Sequence, residues 1–222
     1  MAISVVCFDL YGTLLDIDGL TDVLRGYTAM PEAMCAEWRK RQLQLTNATT
    51  SSGRYVDFDR ITLLALLEIA PRFHVKLETG DQKILIDAWA ALPSFADAAP
   101  ALDHVHKCGL PAIVLTNAVA STAHNALAHA GLIDRVDRVI SADNVNVYKP
   151  NAAVYAQAVG SDDEPGSVLF FSSNDWDAIG ARQAGFHSVW VSRRRLTSGP
   201  KAERTIVSFD EIDGVLDDFV TR

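Results

Sequence analysis

Cysteine is scarce in this chain of 222 residues: Cys7, Cys35 and Cys108 are its three. They are odd in number and scattered, without a CxxC pair, which excludes a disulfide framework and the usual zinc spacings. Cys7, inside an apolar run, reads as a small core residue. Histidine is also sparse, and the six present share no ligand spacing. No apolar stretch is long enough to span a bilayer, and Ser4 and Asp9 break the run that a signal peptide would need. Basic residues are in deficit, with 20 Lys and Arg against 28 Asp and Glu and a net charge of -8. Nucleic acid and anionic membranes both reward positive patches, so neither is expected as a partner. Internal repeats and low-complexity tracts are missing too. These absences leave a soluble protein of a reducing, cytoplasmic compartment whose partner is a small molecule.

What is present is a large apolar fraction, 49%. Disorder is excluded, and the length suits one α/β domain with a smaller subdomain. The organising stretch is Val5-Val6-Cys7-Phe8-Asp9-Leu10-Tyr11-Gly12-Thr13-Leu14-Leu15-Asp16. Its unbroken apolar start predicts a strand buried on both faces. The strand ends in Asp9, and Gly12 allows a sharp turn. Reacting groups of open α/β sheets gather outside the carboxyl ends of strands, which makes Asp9 a candidate nucleophile.

Residues 20–92 carry helical periodicity with little strand-like alternation. Pro31-Glu32 opens a helix, residues 59–69 form a second one expected to be well buried, and Gly80-Asp81 opens a third. The polar stretch 47–53 is expected to be a loop. From residue 99 helices and strands alternate. Strands are expected at 112–115, 136–140, 168–171 and 188–191, with helices at 99–108, 122–130, 152–159, 179–184 and 210–220. Such alternation means a doubly wound parallel, Rossmann-like α/β sheet. The division expected is a core of 1–15 and 94–222 with an all-helical cap subdomain of 16–93 inserted after the first strand.

Polar residues mark three strand ends, at Asp9, at Thr116-Asn117 and from Ser172 to Asp177, and Lys149-Pro150 follows a loop at the same sheet edge. One polar strand end is often only a helix cap; four at one edge point to a site. Phe8-Asp9-Leu10-Tyr11-Gly12-Thr13, Leu115-Thr116-Asn117, Tyr148-Lys149-Pro150 and Ser172-Ser173-Asn174-Asp175-Trp176-Asp177 resemble the four motifs of the haloacid dehalogenase superfamily. Trp38-Arg39 and Arg54-Tyr55-Val56-Asp57-Phe58 are similar to its type II L-2-haloacid dehalogenase branch.

The resemblance implies a metal-free hydrolase with no cofactor that converts small L-2-haloacids to D-2-hydroxy acids through an ester on Asp9. It implies that Lys149 keeps Asp9 ionised and that Thr13 and Ser172 donate hydrogen bonds to it. Thr116, with the backbone N–H groups of Leu10 and Tyr11, would hold the substrate carboxylate. Arg39, Asn117 and the edge of Trp176 would cradle the departing halide. Asn174 and Asp177 would position and deprotonate water, and Tyr155 would support the site. A homodimer through the cap helices is a further implication. Magnesium-dependent phosphatases of the superfamily carry Asp-x-Asp and a Gly-Asp pair; the matching positions here hold Tyr11 and Ser172-Ser173. A hard cation wants anionic oxygens, so that chemistry is the alternative. Another is C–N cleavage in a small strained amino acid, which the polar segment Leu45-Thr46-Asn47-Ala48-Thr49 permits, and a silent binding protein is a third. Plainer readings stand beside these roles. Arg39-Lys40-Arg41 can be a solvated face, Asp177 a first-turn acid, and Trp176 and Tyr155 packing aromatics.

Overall fold

The computed structural model describes residues 2–193 and 202–220. Among these, six parallel strands form one sheet in the order β3-β2-β1-β4-β5-β6. β1 (Val5–Phe8) lies at its centre between β2 (Ala112–Thr116) and β4 (Val168–Ser172). All four residues of β1 are buried, as a strand covered on both faces must be. β3 (Arg138–Ser141), β5 (His187–Val191) and β6 (Arg204–Ile206) complete the sheet. In register, Phe8 pairs with Val114 and Phe171, so β1, β2 and β4 end within two residues of one another. Their polar ends therefore meet at one edge.

The helical cap follows β1: α1 (Leu20–Leu24), α2 (Pro31–Ser52), α3 (Phe58–Ile69) and α4 (Thr79–Asp87). α2 starts with Pro31 in the first turn and ends at Gly53, whose φ of 66° is a left-handed cap. α3 is capped by Asp57, which accepts from Arg60 N. Glu78 and Asp81 form a capping box on α4. The core helices α5 (Ala98–Lys107), α6 (Ala120–His129), α7 (Ala152–Ala156), α8 (Asp175–Gln183) and α9 (Ile212–Val220) flank the sheet.

Several local expectations are corrected. The polar stretch 47–53 is not a loop but the last turns of α2, up to the cap at Gly53. Thr46 and Thr49 bond back to the carbonyls of Leu43 and Thr46, which removes their preference for a turn. α3 is less enveloped than its composition suggested: Leu67 is 40% exposed, and Ile84 on α4 is 52% exposed. α7 is a short helix that stops at Ala156. α8 begins at Asp175, so Trp176 and Asp177 lie in its first turn. β6, with Ile206 as its one apolar residue, was too short and polar to be noticed in the sequence.

Candidate active site

Asp9 follows directly on β1, its N–H bonded to Phe171 O at 2.9 Å. The chain then turns through Gly12, whose φ of +86° suits glycine alone among common residues. This turn returns Thr13 to its own strand end, where Thr13 Oγ1 lies 2.9 Å from Asp9 Oδ2. Asn174 occupies the N-cap position of α8, yet its side chain makes no cap bond. Asn174 Nδ2 instead donates to the same Asp9 oxygen at 2.8 Å.

Lys149 is 1% exposed and spends all three N–H donors on buried acceptors. They are Asp9 Oδ1 at 2.8 Å, Asp177 Oδ2 at 2.7 Å and Leu115 O at 2.9 Å. Burial by itself would lower the ammonium's pKa; the carboxylates of Asp177 and Asp9 outweigh it and hold the pKa above its ordinary value. Lys149 N is anchored by Asn117 Oδ1 at 2.9 Å. Asp177 is fully buried and also accepts from Ser172 Oγ at 2.9 Å and Tyr155 Oη at 2.7 Å. Burial raises the Asp177 pKa, Lys149 pulls it back, and the charge of Asp9 raises it again; the net shift is upward. Burial and then the Asp177 charge push the Tyr155 phenol far up, so it is a permanent donor.

Beside this cluster lies a cavity of about 660 Å³ between cap and core, with Arg39, Leu43, Thr46, Asn47, Asn174 and Trp176 on its walls. Asp9, 5% exposed, sits one hydrogen bond behind Asn174. Arg39 comes from α2, its guanidinium 5.9 Å from the centroid of the Trp89 ring. Burial lowers the Arg39 pKa, an effect opposed first by the charge of Asp9; a guanidinium stays cationic regardless. Among the described residues its side-chain partner is neutral, Gln42 Oε1 at 2.6 Å.

Asp9, Thr13, Lys149, Ser172, Asn174, Asp177, Tyr155 and Asn117 thus form one bonded cluster, with Arg39 and Trp176 on the cavity wall beside it. Two expectations change in detail. The Ser172 hydroxyl has one proton, and Asp177 at 2.9 Å takes it in preference to Asp9 at 3.5 Å. Asn117 uses its carbonyl oxygen to hold Lys149 rather than facing a halide with its whole amide. Tyr11 turns its phenol away to Trp89 O at 3.2 Å and lines a smaller cavity of about 140 Å³. Leu10 is fully buried, its carbonyl accepting from Thr13, Leu14 and Leu15 N. Thr116 is buried as well, its Oγ1 accepting from Ala118 N at 3.1 Å.

Sequence reasoning passed over Ser173, whose N–H donates to Thr13 Oγ1 at 2.9 Å. It also passed over Arg193, which donates to Thr13 O at 2.8 Å and pairs with Asp97 at 2.5 Å. Arg193 stacks on Phe95 and Phe209, 4.1 and 4.7 Å from their centroids. No spacing signal marks such a long-range clamp. Gln42 could have been found, because it stands three residues after Arg39 on a helix.

A hydrolase family model described as haloacid dehalogenase-like hydrolase matches residues 3–185. The chain belongs to the haloacid dehalogenase-like hydrolase family. Within that family it is 36% identical over 194 residues to an (S)-2-haloacid dehalogenase of Pseudomonas sp. (strain YL), covering 85% of this chain and 82% of the relative. An (S)-2-haloacid dehalogenase of Pseudomonas fluorescens is 31% identical over 210 residues, covering 93% and 87%. The L-2-haloacid dehalogenase of Xanthobacter autotrophicus, solved with chloropropionic acid covalently bound, superposes with a TM-score of 0.88 at 26% identity, covering 96% of this chain and 98% of that one.

The magnesium used by other haloacid dehalogenase-like hydrolases does not fit these side chains. Asn174 aims an amide donor at Asp9 Oδ2 (2.8 Å) and stands 3.5 Å from Tyr11 O, where a hard cation would require anionic oxygen. Ser173 supplies a hydroxyl where a phosphatase carries a carboxylate. Among the described residues no cluster of three His, Cys, Asp or Glu side chains could hold a metal.

Proposed function

We propose that the chain hydrolyses small L-2-haloacids to D-2-hydroxy acids through an aspartyl ester on Asp9. The observation that carries this reading is the contrast at Asp9 between its two oxygens. Oδ2 is occupied by Thr13 and Asn174, while Oδ1 carries only Lys149 at 2.8 Å. Oδ1 is the less encumbered nucleophile. It attacks C2 of the substrate, the C–halogen bond breaks, and the halide leaves with the bonding electrons, inverting the centre. Arg39, a cation without a carboxylate partner among the described residues, receives that anion from the cap side with Trp176 and the amide N–H₂ of Asn117. Leu10 and Tyr11 N–H and the Thr116 hydroxyl hold the substrate carboxylate. Water then adds to the ester carbonyl of Asp9, its proton passing to Asp177. Two donors bond Asp177 Oδ2 and one side-chain donor bonds Oδ1, so Oδ1 retains a lone pair for that proton. Collapse of the adduct breaks the ester C–O bond, and the departing alkoxide takes the proton of the added hydroxyl to become the hydroxy acid. Asp9 is again a carboxylate, and Asp177 releases its proton to solvent.

The names of the relatives support the substrate class, and the polar wall at Thr46 and Asn47 leaves room for substituents beyond a short alkyl chain. The same reading makes residues 16–93 a cap subdomain on a core of 1–15 and 94–222. It is supported by the two crossings lying side by side, with Asp16 N bonded to Pro93 O at 2.8 Å and Phe95 N to Leu14 O at 3.0 Å. A cytoplasmic location and a homodimer through the cap belong to the proposal as well. No helix among the described residues is long and apolar enough to cross a membrane, and light scattering reads the assembly. The deciding experiment is a single turnover of L-2-chloropropionate in ¹⁸O-water with EDTA. The isotope should appear in the Asp9 carboxylate; label entering the hydroxy acid directly, with none in the protein, would rule out the ester. Phosphate release from a monoester with Mg²⁺, without halide release, would favour the phosphatase alternative.

A further inference from the structure

Gln42 is fully buried on the cap helix α2 and Thr62 is 3% exposed on α3. Burying an uncharged amide is costly unless both of its ends are bonded, and here both are used in line. Thr62 Oγ1 donates to Phe58 O at 2.7 Å. A hydroxyl has one proton, so toward Gln42 that oxygen can only accept, and it does so from Nε2 at 2.6 Å. The amide is thereby oriented: its carbonyl oxygen must face the other way, where Arg39 Nη1 donates to it at 2.6 Å. Trp38 Nε1 bonds Thr62 O at 2.9 Å and ties the two helices together at the same turn.

We infer that Gln42 and Thr62 are positioning residues that aim the Arg39 guanidinium at the leaving group. The inference rests on the reading of Arg39 as the halide-binding cation. A carboxylate in place of Gln42 would fix the guanidinium equally well but would neutralise it. An amide, acting through a neutral oxygen, fixes direction and leaves the charge for the incoming anion. The chain from Phe58 O through Thr62 and Gln42 makes that direction one-way, since no member can rotate without stranding a buried donor or acceptor. Long cationic side chains are otherwise free to sample many rotamers, and misaligned donors stabilise a departing anion poorly.

The test compares Gln42→Leu, Thr62→Val and Thr62→Ser with the wild-type enzyme on L-2-chloropropionate and L-2-bromopropionate, with thermal unfolding measured alongside. Chloride is the poorer leaving group and needs the aligned cation more. Gln42→Leu and Thr62→Val should lower kcat for chloride release by about 10- to 100-fold. Bromide release should fall less, so that the bromide-to-chloride rate ratio widens while KM moves little, and Thr62→Ser should recover most of the loss. A merely structural role would lower Tm and slow both substrates equally; an unchanged ratio in both variants overturns the inference. If Gln42→Leu does not fold, the Thr62→Val and Thr62→Ser pair decides in the same way. Absence of halide release from the wild-type enzyme sinks the dehalogenase reading itself, and this inference with it. Wild-type halide release with unaltered ratios in the variants sinks this inference alone.

Discussion

Lys149 shows at the residue scale why this site is an all-or-none arrangement. One buried ammonium compensates two buried carboxylates at 2.8 and 2.7 Å. Removing it leaves Asp9 and Asp177 as adjacent uncompensated charges, so Lys149→Met should abolish halide release and cost about 3–5 kcal/mol of stability by denaturant titration. Asp9→Asn, which keeps the shape, should lose turnover with an unchanged circular dichroism spectrum; retained activity would refute the nucleophile assignment. The raised pKa of Asp177 has a sign that can be followed through. The native chain binds this proton at a pH above the ordinary carboxylate value of 3.8, so the group's contribution to stability is full below that value and is lost as pH rises through the native pKa. Lys149, also raised, contributes stability below its ordinary 10.5 that is lost as pH rises through its native pKa. For turnover only the ionised Asp177 accepts a proton from water. The acid limb of kcat should therefore lie above that of an unperturbed carboxylate, and a limb near 3.8 would place the base elsewhere.

At the scale of elements, α7 and α8 are spaced by a glycine. A Cβ at Gly180 would come within 2.5 Å of Pro150 Cβ and of Tyr155 Oη. The proline ring cannot give way, and Tyr155 would be driven from its bond to Asp177. Gly180→Ala should accordingly destabilise by about 1–3 kcal/mol and slow ester hydrolysis more than halide release, giving a larger halide burst than the wild-type enzyme. A wild-type Tm and burst would show that the helices can separate freely. α2 teaches a different lesson. Its C-terminal half is rich in Thr, Asn and Ser, which local chemistry assigns to a loop, and tertiary packing overrides that preference. Buried Thr46 and the contacts of α2 with α3 hold the helix to Ser52.

For the whole molecule, the question is how a cap keeps register with a core from which it is separate in sequence. On one side Tyr148 Oη bonds Val56 O at 2.5 Å and Tyr148 N bonds Thr50 Oγ1 at 3.1 Å, one residue before Lys149. Tyr55 bonds Asp143 nearby, and Thr122 bonds Asp59 at 2.6 Å. The loop that carries Lys149 is thus fastened to the cap that carries Arg39. Tyr148→Phe should leave the core intact but speed hydrogen exchange at the end of α2 and the start of α3, and unchanged exchange there would mean that the remaining contacts suffice.

Local patterning determined the strand ends, the order of the motifs and the candidate nucleophile. Buried parallel strands are continuous apolar runs, and a polar residue at such an end is conspicuous. The bonded set of Asp9, Thr13, Asn174, Lys149 and Asp177 was legible for the same reason, since each member sits beside a strand end or in a motif. Tertiary structure alone decided which acceptor each donor meets: the Ser172 hydroxyl at Asp177 rather than Asp9, Lys149 N–H at Asn117, the Gln42 amide N–H₂ at Thr62 and Arg193 at Thr13. A single hydroxyl proton or one amide end goes to whichever acceptor lies within hydrogen-bonding distance. Those distances are set by the approach of elements far apart in the chain, which no spacing along the sequence records.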